Sequence, residues 1–535
     1  MERRLSYWGW GYEDRFPDRA LRQMFAAQLP AMTGFTALEV EEPVPLEEAR
    51  IAASRIDAPA ALAAVSTRDD RARATRAHGR AYRDVVRGFG GDFASAPDLV
   101  IEPTTEDEVR IAIEWAAEHG YALIPYGGGT SVVSGVELAE REAWPAVVCL
   151  DLRRLDRLIE LDPVSRAARI GAGATGPRLE EQLRAHGMTL RFFPQSYELS
   201  TLGGWIATRA GGHFATLHTH IDDLVESARM ITPRGVFESR RLPASGAGPS
   251  PDRLVLGSEG ALGVITEAWV RVQPRPIYRG SASVRFAEWS SALAATRAVA
   301  QSGLHPSNCR LLDSREAMLN RVATDGTHVL LLGFESADHP VEAGMERALA
   351  IALDHGGASK DGATYKFTLP EASAASRDGT ADRWRQSFVD APYLVSSMIS
   401  LGIIADTFET ACTWDRFEAM HEAIVTDVRA AMKEVAGKGI LSCRFTHVYP
   451  DGPAPYYTFL APAKRGSELS QWAEIKAAAS EAILAHGGTI THHHAVGRMH
   501  KPYYERQRPE LFGEVLRAAK RTLDPKGVMN PGVLV

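Results

Sequence analysis

An α+β fold of two or three packed bodies is predicted, and three observations in the 535-residue sequence predict it. The length exceeds what one ordinary hydrophobic core supports. From Pro97 to Pro274, short strand-like runs alternate with amphipathic helices and glycine turns. Beyond Pro274 strands and helices alternate again, in the pattern of a second α/β body built on an antiparallel sheet. Hydrophobic residues at 45% and charged residues at 24% are those of a soluble globular chain, which excludes fibrous and wholly disordered classes. A net charge of −7 supplies no positive field for nucleic acid or an anionic membrane, so a small-molecule substrate is the expected partner and nucleic acid is not.

Taken in order, residues 1–92 are expected to form a mostly helical N-terminal extension. Its arginines, Arg68, Arg71, Arg73, Arg76, Arg80, Arg83 and Arg87, read as a solvated helix face interleaved with acids. Residues 93–275 open with the strand LVIEP and the capped helix TTEDEVRIAIEWAAEHG, then enter a glycine loop through ALIPYGGGTS. Residues 276–488 form the second body, and 489–535 return to the first. Cys149, Cys309, Cys412 and Cys443 are dispersed, which points to neither a disulfide framework nor a zinc ribbon. The N-terminus lacks the apolar run of a signal peptide, and the longest apolar stretch, Tyr393 to Ala405, is too short to span a membrane. A cytoplasmic protein without an integral membrane segment is expected, a homodimer is the expected assembly, and peripheral membrane contact stays open.

The glycine clusters differ in what they can cradle. Gly171, Gly173 and Gly176 match GxGxxG, but the preceding strand RAARI is polar and no carboxylate follows at a ribose-binding distance, so a packing turn is expected there. The run Pro125, Tyr126, Gly127, Gly128, Gly129, Thr130, Ser131 removes three successive Cβ atoms and adds two hydroxyls, the makings of an anion-binding nest. His492, His493 and His494 are adjacent; on a strand they point to alternate faces and do not converge on one ion, so no metal is expected and proton handling is. Tyr456 and Tyr457 lie on a strand and show one ring to each face.

PYGGGTSV, PQSYELSTLGGWIATRAGG and GSEGALGVI stand in the order and at the separations of the flavin-binding motifs of the vanillyl-alcohol oxidase superfamily, which the chain resembles. The closing LDPKGVMNPG is similar to that superfamily's C-terminal signature. Within it the N-terminal SYWGWGYEDRFPD, RAHG, the triple histidine and FETACTWDRF resemble the alkyl-dihydroxyacetonephosphate synthase branch and its bacterial relatives. The resemblance implies a two-subdomain PCMH-type FAD-binding domain with an α/β cap domain, and noncovalent FAD. It places diphosphate and ribityl contacts on Pro125, Gly127, Gly128, Gly129, Thr130 and Ser131. The isoalloxazine side falls to Pro194, Gln195, Ser200, Gly203, Gly204, Ala207, Thr208, Arg209 and Ala210. Adenine and backbone contacts fall to Glu259, Gly260, Gly263, Val264 and Ile265. The catalytic candidates are Tyr457, assigned as the strand's active-site tyrosine, with His492, His493 and His494.

One departure bears on the reaction. The synthases carry a phosphate-gripping arginine shortly before FETxxxWDR, in a piece read as YxRD; here that position is Val395. Arg383, Arg385 and Arg444 are the candidates to replace it. The leading expectation is therefore an FAD-dependent oxidoreductase passing a hydride from a hydroxyl-bearing carbon to flavin N5. The alternative is the redox-neutral transferase chemistry of ether-lipid synthesis, and a third reading is a flavin-binding protein without turnover.

Overall fold

The structure, a computed structural model, describes residues 3–36, 39–367 and 392–535. A four-stranded sheet runs in the order Ser66–Thr67, Leu99–Ile101, Val147–Asp151, Ala122–Tyr126. Its last three strands are parallel, and Leu99, Ile101, Leu123, Val148 and Leu150 are buried, as a covered parallel sheet requires. The helix Glu106–His119 covers it, started by a Thr105/Glu108 capping box and stopped by Gly120 at φ +67. An antiparallel five-stranded sheet follows, in the order Gly235–Glu238, Val225–Thr232, Val264–Arg271, Ala167–Gly171, Leu158–Asp162.

A third, seven-stranded sheet has the order Ala363–Phe367, Tyr278–Phe286, His328–Ser336, Asn308–Leu312, Ile440–Val448, Pro453–Pro462, Ile403–Glu409. Its pairings are antiparallel, which matches the expected second body. One face packs on the helices Trp289–Gln301, Glu342–Asp354, Trp414–Ala436 and Glu468–Ala485 to make the largest apolar core. The other face fronts a cavity. Among the described residues no helix is long and apolar enough to cross a membrane.

Two expectations about the N-terminal region are corrected. Helices there are confined to Arg19–Thr33, Asp70–Thr75 and Tyr82–Phe89 with short 3₁₀ turns, and most of residues 39–69 is neither helix nor strand. Periodic alanines and arginines supply helix propensity, but Pro43, Pro45 and Pro59 interrupt it. Nor are the arginines simply a solvated face. Arg73 and Arg76 are buried, and Arg76 donates to Asp151 and Glu102. Arg83 and Arg87 pair with the buried Glu137. They tie this segment to the glycine-loop body. Gly171, Gly173 and Gly176 form the expected packing turn: a Cβ on Gly173 would lie 1.8 Å from the Leu152 carbonyl oxygen.

Candidate active site

A cavity of about 730 Å³ joins the glycine loops, the open face of the seven-stranded sheet and the N-terminal helix. The loop after the strand Ala122–Tyr126 forms one wall, with Gly129 at φ +64. Ser131 Oγ accepts from the Val133 and Gly135 amides, and Arg80, next to the RAHG piece, donates its backbone N–H to the Ser131 carbonyl. A Cβ on Gly79 would lie 2.3 Å from that carbonyl oxygen, which accounts for the glycine of RAHG. Leu202–Thr208, capped by Thr201, is the second wall. The turn through Glu259 and Gly260 is the third, with φ values of +49 and +76.

Of the residues expected at a flavin, Pro125, Gly127, Gly128, Gly129, Thr130 and Ser131 line the cavity. So do Pro194, Gln195, Ser200, Gly203, Gly204, Ala207, Thr208 and Ala210, and also Glu259, Gly260, Gly263 and Ile265. Arg209 and Val264 do not. Arg209 ends the helix in the left-handed region at φ 51 and pairs with Asp222. Val264 points into the core beneath the parallel sheet. Glu259 lines the cavity, yet its carboxylate accepts from the Val496 and Gly497 amides at 2.9 and 2.8 Å, fastening this turn to the loop after the histidines. Burial pushes its carboxyl up to about 7. The cradle fits FAD: three side-chain-free residues and two hydroxyls for a diphosphate, and glycine-lined walls for a flat ring.

Strand alternation decides between the tyrosines, and against Tyr457. Tyr456 pairs with Arg444 and Glu409, whereas Tyr457 pairs with Cys443 and Phe408. Tyr457 is 0% exposed, stacks on Phe408, and its hydroxyl meets His421 Nδ1 at 2.9 Å in the helical core. Tyr456 lines the cavity, stacked on His493 at 5.9 Å and donating to Thr407 Oγ1 at 2.9 Å. Burial raises its pKa, so it is a neutral hydroxyl donor rather than a base.

The histidines divide similarly. His493 and His494 line the cavity, while His492 lies behind them. Glu409, from the FET segment, organises the loop: its carboxylate accepts from the backbone N–H of His492, His493 and His494 at 2.6, 3.1 and 2.9 Å, and from the Thr491 hydroxyl at 2.6 Å. Burial opposes its ionisation, but the adjacent His493, His494 and His492 rings and the Thr491 hydroxyl outweigh burial and hold the Glu409 carboxyl far below its ordinary range. His447, His492 and His493 bring one ring nitrogen each within 4.8 Å of the others, a convergence that the strand argument did not foresee because residues 489–500 form an irregular loop.

Arg310 and Arg444 extend the polar wall. Arg444 pairs with Glu316 at 2.6 Å and lies 4.1 Å over the Tyr456 ring. Arg310 donates to the His213 carbonyl, and burial beside Arg444 lowers its pKa to about 10. Arg383 and Arg385 lie outside the described residues. The opposite wall is apolar: Val395, Met398, Ile403 and Leu460 pack with Leu29 and Phe35 of the N-terminal region. Sequence reasoning missed Glu409, Tyr456, Arg310, His220 and His447 as site residues. The FET segment was the available signal for the first, and strand alternation for the second.

The buried imidazoles make the fold acid-labile. Burial holds His78 and His494 near 3, and His421 and His500 near 4. As pH falls below the unfolded value of about 6.5, the unfolded chain takes up protons that the folded one refuses, so stability is present above that value and declines below it. By pH 5 each such group costs about 2 kcal/mol, and together they rival a typical total stability. Thermal unfolding followed between pH 7.5 and pH 5 is expected to show a steep fall in Tm; a flat profile would remove the buried-neutral assignment.

Residues 97–239 match the family described as FAD binding domain, and residues 275–534 match FAD linked oxidases, C-terminal domain. An alkyldihydroxyacetonephosphate synthase of Trypanosoma brucei brucei is 30% identical over 479 residues, covering 87% of this chain and 78% of that protein. A mitochondrial D-lactate dehydrogenase [cytochrome] of Arabidopsis thaliana is 26% identical, covering 82% and 73%. Among solved structures, an alkyldihydroxyacetonephosphate synthase superposes with a TM-score of 0.80 at 23% identity, covering 98% of each chain.

Proposed function

Because the chain belongs to the FAD-linked enzyme family that includes the alkyldihydroxyacetonephosphate synthases, we propose that it is an FAD-dependent transferase that exchanges an ester-linked acyl chain for an alkyl chain on a ketone-bearing head group. One observation carries this reading over hydride transfer: the cavity continues from the flavin motifs and the Arg310/Arg444 wall into an apolar wall running to the N-terminal helix. A small hydroxy acid has no use for that surface, whereas a long chain buries it at about 0.8 kcal/mol per CH₂.

The loop Gly127–Ser131 would hold the diphosphate, and Ser200, Gly203 and Gly204 would flank the ring. When bound, FAD supplies an electron sink next to the substrate carbon. The guanidinium groups of Arg310 and Arg444 hold the oxygens of the head group. Leu29, Phe35, Val395 and Ile403 order the chain and exclude water. His493 takes the hydroxyl proton of the incoming alcohol as its oxygen bonds to the head-group carbon. The fatty carboxylate departs with the ester oxygen, so the exchange involves no net oxidation. Tyr456 supplies a neutral hydroxyl beside the same atoms.

Val395 favours a second reading in detail. An apolar side chain among Leu401, Ile403 and Met398 suits a chain better than a phosphate. Labelled hexadecanol offered with acyl-dihydroxyacetone, with and without its phosphate, tests both. Incorporation into an ether is expected, with the phosphate ester the poorer substrate and Val395→Arg improving its KM about tenfold, the scale of one charge-assisted contact. If a hydroxy acid bleaches the flavin and no ether forms, hydride transfer replaces this reading.

A further inference from the structure

We infer that His220 is a positioning residue that fixes, through His492, which nitrogen of His493 carries the proton, leaving a bare Nε2 on the cavity ring; the inference rests on the proton-accepting role proposed for His493. Arg209 stops the flavin-wall helix in the left-handed conformation, and His220 Nδ1 lies 3.1 Å from the carbonyl oxygen of Arg209. A carbonyl only accepts, so His220 Nδ1 carries its proton and, in the neutral ring, Nε2 is bare.

His220 Nε2 faces His492 Nε2 at 3.1 Å. Two bare nitrogens at that distance repel, so His492 carries its proton on Nε2. Its Nδ1 is then the acceptor, and it faces His493 Nδ1 at 3.1 Å. His493 must donate there, which leaves its Nε2 bare. A second contact agrees: Glu409 Oε2 lies 3.7 Å from His493 Nδ1 and favours a proton on that nitrogen. Among the described residues Nε2 of His493 has no hydrogen-bond partner, and the ring lines the cavity beside Tyr456, Arg444 and Arg310.

Tyr449 makes the anchor necessary. Its hydroxyl lies 2.8 Å from His492 Nε2 and 3.0 Å from Thr219 Oγ1, so it can accept from His492 or donate to it. Without His220, donation by Tyr449 would move the His492 proton to Nδ1 and force His493 to carry its own on Nε2, where it can no longer accept one. Burial lowers the pKa of His220, His492 and His493, which keeps the three rings neutral at pH 7. The groups around His493 are Glu409, His447, His492, His494, Tyr456, Arg310 and Arg444.

The test uses the holoenzyme labelled with [¹⁵N]histidine, its His493 signals assigned by their loss in His493→Gln. The wild type is expected to show a bare Nε2 and a protonated Nδ1. His220→Phe should reverse them and lower turnover about 10²-fold, the scale of a missing base, across the pH plateau with FAD content and KM unchanged. His220→Gln, whose amide can donate to Arg209 and accept from His492, should retain both pattern and turnover. Unreversed signals in His220→Phe, or an equal loss in His220→Gln, would overturn the inference. Reversed signals with unchanged turnover would uphold it and remove His493 from the proposed reaction.

Discussion

Gly128→Asp is expected to yield a folded, colourless protein that FAD does not reconstitute. A Cβ on Gly128 would lie 2.1 Å from the Leu199 carbonyl oxygen and 2.6 Å from its carbon, both backbone atoms with no room to move. The two cavity walls, the glycine loop and the segment before Leu202–Thr208, approach so closely that only hydrogen fits between them. Gly127 repeats the condition against Thr201 Oγ1 at 2.3 Å. Aspartate adds to this collision a carboxylate beside the site proposed for the diphosphate, where like charge is repelled in a partly buried setting. The flavin absorbance per chain, with circular dichroism to verify the fold, measures the outcome. A yellow Gly128→Asp protein holding about one FAD per chain would contradict the assignment of this loop.

His493→Ala should keep the flavin and lose turnover by about 10²-fold or more, the usual scale for a missing acid or base. Tyr456→Phe should lower turnover in the same direction, because it removes a hydroxyl on the cavity face without disturbing the stacked ring. Tyr457→Phe should leave turnover intact and cost about 1 kcal/mol of stability, the worth of its hydrogen bond to His421. Steady-state rates of the three variants at matched flavin content test the two faces of one strand. Loss of turnover in Tyr457→Phe without loss in Tyr456→Phe would reverse the assignment.

The glycine-loop half of the cavity was legible because its motifs are local. PYGGGTS, LGG and GSEG each need glycines for a local reason, a close approach at Gly128 and Gly203 and a positive φ at Gly257 and Gly260, so residue type and position coincide. The catalytic half was not, because it is assembled across strands. Whether Tyr456 or Tyr457 meets the cavity depends on which face of the seven-stranded sheet the helices cover, and a sequence shows two adjacent tyrosines without saying which. His220 and His447 stand 272 and 45 residues from His492, in segments whose patterns carry no histidine motif, and only the fold brings their rings together. Glu409 was visible as part of FET, but its role as acceptor for three consecutive histidine amides depends on a loop that the strand-like run ITHHH concealed. The arginine run failed for a related reason: the groups that receive the buried guanidinium groups lie far away in the chain, Asp151 and Glu102 for Arg76 and the Pro97 and Ala52 carbonyls for Arg73.

The most direct measurement is the number of products formed per flavin in strict anaerobiosis, with acyl-dihydroxyacetone and a long-chain alcohol and no electron acceptor. Exchange without net redox predicts many ether products per flavin, with the flavin absorbance oxidised at the end. A reaction that stops at about one product per flavin, leaves the flavin bleached and resumes only with an acceptor would contradict the account.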